Sequence, residues 1–82
     1  MRSNEQIKRE ATILWELSHY RTEPSCASYN YAMRRTAEMF FAIWNIDKSF
    51  AMFDKCCELN ALDVEQAVIV RGCMERHGMK DG

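Results

Sequence analysis

Cys73 and His77 stand four residues apart, so on a helix their thiol and imidazole share one face and can chelate one ion. Cys56 or Cys57 would add a third ligand if the segments carrying them and Cys73 form an antiparallel hairpin, and a fourth would come from Cys26 or His19. The pattern lacks the close C-x-x-C knuckle usual in structural zinc sites. Cys57 and Cys73 also fall on core-facing positions, where a free thiol behaves as a small hydrophobe. We therefore expect no bound metal and no cofactor, with Cys57, Cys73 and His77 as the residues that would hold an ion.

Catalysis is poorly served. The chain has two His, and carries no Gly-rich phosphate loop, nucleophile elbow or H-E-x-x-H. Cys73 and His77 offer the one thiol–base pair. A few short helices seldom enclose a pocket of useful volume. The expectation is a non-enzyme without a small-molecule substrate.

The stretch KCCELNALDVEQAVIV, Lys55 to Val70, has the lengths of a helix–turn–helix. Gln66 and Arg71 are the side chains that would reach DNA. A recognition helix, however, presents its N-terminal residues to the groove, and here those include Asp63 and Glu65, which repel phosphate. Arg34 and Arg35, between Tyr29, Tyr31 and Phe41, read as a solvated helix face, because Glu38 lies one turn from Arg34. The net charge is −1, from 11 basic and 12 acidic residues, with no basic tract to track a phosphate backbone. A small dimeric DNA-binding regulator is the alternative reading, and nucleic acid the disfavoured partner.

Protein binding is the leading expectation. Apolar residues make up 48% of 82 residues, including six Met, four Phe, three Tyr and two Trp. A domain of this size buries only about 60–65% of the surface its unfolded chain exposes. Some large side chains should therefore remain for a protein partner or a homodimer. Met33, Met39, Phe41 and Trp44 are the expected anchors, since methionine adapts to partner surfaces and aromatics concentrate interface energy. The chain would act as a regulator or inhibitor through that apolar surface.

These residues must be positioned by helices, because one Pro and three Gly are too few turn residues for an all-β fold. We expect an all-α, compact bundle of four short helices in a single domain. Ser3 and Gln6 form a capping box for a first helix over about 4–20, with Ile7, Ala11, Leu14 and Ser18 on its inner face and Ile13, Trp15 and Leu17 widening it. Pro24 opens the second, whose Tyr29, Met33, Thr36, Phe40 and Ile43 trace the seam of a central helix. Asn45–Asp47 interrupts it; Asp47 then caps the third helix, Ile46 staples against Ala51, and Asn60 ends it. Asp63 and Gln66 cap the fourth, in hairpin with the third, and Gly78 ends it. Residues 79–82 should fray.

The charged N-terminal segment reads as no signal peptide, and the longest apolar run, Met39–Trp44, is far short of the ~20 residues of a membrane span. The expectation is a cytoplasmic protein with reduced cysteines and no membrane association.

Overall fold

Four helices, α1 (Asn4–Ser18), α2 (Ala27–Asp47), α3 (Phe53–Leu59) and α4 (Val64–Arg76), build the computed structural model, which describes residues 2–81. A 3-10 turn, Pro24–Cys26, leads into α2, and among the described residues there is no strand. The fold is all-α with four helices, as the caps and periodicity indicate.

Both capping boxes form. Ser3 Oγ accepts from the Gln6 amide at 3.1 Å, and Asp63 Oδ1 accepts from the Gln66 amide at 2.8 Å, while each glutamine side chain returns to the cap's backbone N–H. Each box satisfies two amides that the first helical turn leaves without partners. The other ends of α3 and α4 close by a matched device. Ala61 and Gly78 take left-handed φ of 54° and 89°. Leu62 N–H then reaches Cys57 O at 3.0 Å, and Met79 N–H reaches Met74 O at 3.1 Å, the bonds of a Schellman motif.

α2 lies at the centre and packs against α1, α3 and α4. Its Phe40 meets Trp44, Phe50 and Phe53 at ring-centroid separations of 5.3–6.0 Å. The buried Asn30 ties the α1–α2 connection down: its amide donates to Ser18 O at 3.1 Å and Arg21 O at 2.7 Å, and its oxygen accepts from Arg21 N–H. A polar group so enclosed is stable because its amide nitrogen and its oxygen both have partners.

Four local expectations are corrected. α2 does not break at Asn45–Asp47 but runs through it to Lys48, whose φ of 54° ends the helix. Asn45 and Asp are only mildly unfavourable in a helix, and Asn45 Oδ1 is held by Gln6 Nε2 from α1 at 3.2 Å. Asp47 therefore caps nothing on α3, accepting instead from the Ser49 amide, and Ile46 is 85% exposed rather than stapled. On α1, the buried face is Glu10, Ile13 and Leu17, with Ile7 and Ala11 exposed. Arg2 neutralises Glu10 with an ion pair at 2.5 Å, which allows a carboxylate on the inner face. The segment after α4 is not frayed at its start: Met79 is 1% exposed and belongs to the core.

The fourth correction bears on function. Met33, Phe41 and Trp44, expected as surface anchors, are buried in the core, and Met39 is half-buried against it. α2 is apolar over much of its circumference because three helices cover it, so its large side chains are spent inside the molecule. No helix among the described residues is long and apolar enough to cross a membrane.

Candidate interaction face and a Glu–Cys–His cluster

Large apolar side chains stay exposed on every helix, Trp15 on α1, Tyr31 and Ile46 on α2 and Leu59 on α3 among them, and α4 carries two on one face. Val64 is 81% and Val68 66% exposed, one turn apart on the outward side. Gly72 continues the line by another turn, and a Cβ added there would meet nothing within 4 Å. A mid-helix glycine costs about 0.5–1 kcal/mol relative to alanine, and no intramolecular packing requires this one. Val68 is thus a ridge between two grooves. Towards α3 lies a groove of about 470 Å³ lined by Phe53, Asp54, Ala67 and Arg71, among others. Towards α1 lies one of about 280 Å³ lined by Leu17, Tyr20, Ile69 and Cys73, with Val68 and Gly72 shared.

Charges flank the ridge on opposite sides. Glu65 accepts from the Tyr29 hydroxyl and pairs with Arg21 at 2.8 Å. The bond to that carboxylate, with partial burial, pushes the Tyr29 hydroxyl up to about 12, since ionising it would place two anions together. Arg71 lays its guanidinium over the Phe50 ring at 4.1 Å and pairs with Glu75 at 3.4 Å.

Gln66 is buried, and its side chain is consumed by the Asp63 cap and by the Tyr29 carbonyl at 3.0 Å. Neither Gln66 nor the stacked Arg71 stands free at the start of α4 to read a base. Val64 and Glu65 occupy that exposed first turn instead.

A second constellation joins α1 to α4. Glu16 receives Cys73 Sγ at 3.3 Å on Oε2 and His77 Nε2 at 2.8 Å on Oε1. Arg76 reaches the same Oε2 at 3.2 Å. Glu16 Oε, Cys73 Sγ and His77 Nε2 supply one grouping of potential ligand atoms within 4.8 Å of one another. The hydrogen bond from His77, reinforced by Cys73 and Arg76, holds the Glu16 carboxyl below its ordinary value despite desolvation. Burial, together with the facing carboxylate, pushes the Cys73 thiol up to about 12.

Cys73 and His77 thus come together as their spacing implies, but the third member is Glu16 and not Cys57. Cys57 is packed in the core, where burial pushes its thiol up to about 11. His19 stacks on Trp15 at 4.4 Å, and neither it nor Cys26 belongs to the grouping. Glu16 was missed because its partners lie some sixty residues away. Its one local signal is position: it follows Ile13 by three, on the flank of the face that α1 buries.

No protein-family model, curated protein or solved structure matches this chain at a significant level.

Proposed function

We propose that the chain works by binding protein through the outward face of α4, and that a second copy of the chain is its partner. The observation that carries this is the Val64–Val68–Gly72 line: two exposed β-branched side chains and a notch, on one face of a helix with apolar grooves on both sides.

Helix geometry supports a second copy as the occupant. If two α4 helices pack antiparallel about Val68, positions equidistant from it in sequence oppose each other. Val64 then faces Gly72 of the second copy, filling the notch. This pairing occurs twice by symmetry, as an isologous interface requires. One helix face per chain is small beside the ~800 Å² per partner of a standard interface, so the association is weak and exchanging. A regulator that releases its own copy to cover another protein's apolar helix fits that behaviour.

Sedimentation equilibrium over about 1 µM to 1 mM, a range suited to weak complexes, tests the reading. A monomer–dimer equilibrium abolished by Val68→Glu is expected. A monomer throughout would sink the self-association. A salt-sensitive gel shift with random DNA would favour the helix–turn–helix regulator instead.

A further inference from the structure

We propose that Glu16, Cys73 and His77 form a zinc-binding site that clips α1 to α4. The donor set is one sulfur, one imidazole nitrogen and one carboxylate oxygen, a combination zinc accepts and hard cations do not. Zinc binds these atoms at about 2.0–2.3 Å in a tetrahedron, which sets neighbouring donors about 3.3–3.6 Å apart. Here the sulfur lies 3.3 Å from Glu16 Oε2 and the imidazole nitrogen 2.8 Å from Glu16 Oε1. All three donors lie within 4.8 Å of one another. Turning the carboxylate so that one oxygen stands between sulfur and nitrogen would give the tetrahedral spacing, a displacement within reach of a glutamate side chain.

The elements hold the donors in place. Cys73 in the last turns of α4 and His77 at its C-cap stand one turn apart, and Glu16 reaches them from α1. Cys73 is buried while Glu16 and His77 are half-buried, so an ion would be partly dehydrated yet reachable. The groove beside Tyr20 and Gly72 also borders Glu16 and Cys73. It leaves room for water or an outside donor in the fourth position, the arrangement of open zinc sites. Coordination takes the Cys73 thiolate and the Nε2 lone pair of a neutral His77: the proton that Cys73 now shares with Glu16 passes to solvent, and the imidazole keeps its proton on Nδ1. Arg76 is the competitor for Glu16; its side chain is largely exposed and can turn outward.

Equilibrium dialysis against zinc chloride, with cobalt(II) as a spectroscopic substitute, tests the site. One zinc per chain is expected, and cobalt should show a sulfur-to-metal charge-transfer band in the near ultraviolet. His77→Gln and Glu16→Gln, at half-buried positions, should keep the helical circular dichroism and lose at least ~tenfold in zinc affinity. Cys57→Ala should retain the band, and Cys73→Ser should lose it. Zinc affinity unchanged in folded His77→Gln and Glu16→Gln, or a cobalt spectrum without thiolate character, would reduce the cluster to a hydrogen-bond network and overturn the proposal. Val68→Glu, which targets the α4 ridge, should leave zinc binding intact, so the dimer and the metal site stand or fall separately.

Discussion

The backbone amide of Phe50 donates to Oδ1 of Asp81 at 2.6 Å, tying the α2–α3 connection to the segment that follows α4. Next to this bond Met79 is sealed into the core and hydrogen-bonded to Met74. Together they fasten the segment after α4 onto the core. Met79→Ala should therefore cost about 2–5 kcal/mol. Removal of residues 79–82 should cost as much, read from the urea midpoint at constant m-value. A truncated chain with an unchanged midpoint would show that this segment contributes nothing.

The two tryptophans should behave oppositely. Trp44 is 5% exposed and packs on Phe40 and Phe50, whereas Trp15 is 63% exposed and stacks on His19. Trp44→Ala should lower stability by about 3–5 kcal/mol, and Trp15→Ala by no more than about 0.5 kcal/mol. Iodide should quench the emission of Trp15 and spare that of Trp44. Phe41→Ala belongs with Trp44: lost helicity or lowered melting is expected, not weakened association of a folded protein.

Two positions invite exchange of glycine and alanine in opposite directions. Ala61 holds a φ of 54°, so Ala61→Gly should relieve up to about 1 kcal/mol of left-handed strain. Gly72 sits inside a helix with open space around its missing Cβ, so Gly72→Ala should raise monomer stability by about 0.5–1 kcal/mol. The same methyl fills the notch that receives Val64 of the second copy, so self-association should weaken as stability rises. Tighter association in Gly72→Ala would rule out that packing.

Alkaline titration reads the Tyr29–Glu65 contact. The Tyr29 hydroxyl is raised from 10.0 to about 12 in the folded chain, with its bond to Glu65 the largest cause. A folded value above the unfolded one means that the stabilisation is complete below pH 10.0 and is lost as pH rises through about 12. Glu65→Gln removes the anion and should return that ionisation towards 10.0, followed by tyrosinate absorbance. A titration curve identical in the two proteins would mean that the contact does not form in solution.

What could be read from residue order alone is what depends on neighbours within one turn. The Ser3–Gln6 and Asp63–Gln66 boxes, the stop at Gly78 and the 3.6-residue periodicities are local hydrogen-bond and steric matters, and they yielded four helices and an all-α fold. What depended on docking was illegible. α1 carries two overlapping apolar faces, and only its seat against α2 and α4 selected Glu10, Ile13 and Leu17 over Ile7 and Ala11. Trp44 and Phe41 turned inward because three helices enclose α2, while Val64 and Val68 on α4 stayed outside. Glu16 met Cys73 and His77 for the same reason: chain order sets which groups a helix presents, but the packing of helices against one another sets which groups meet.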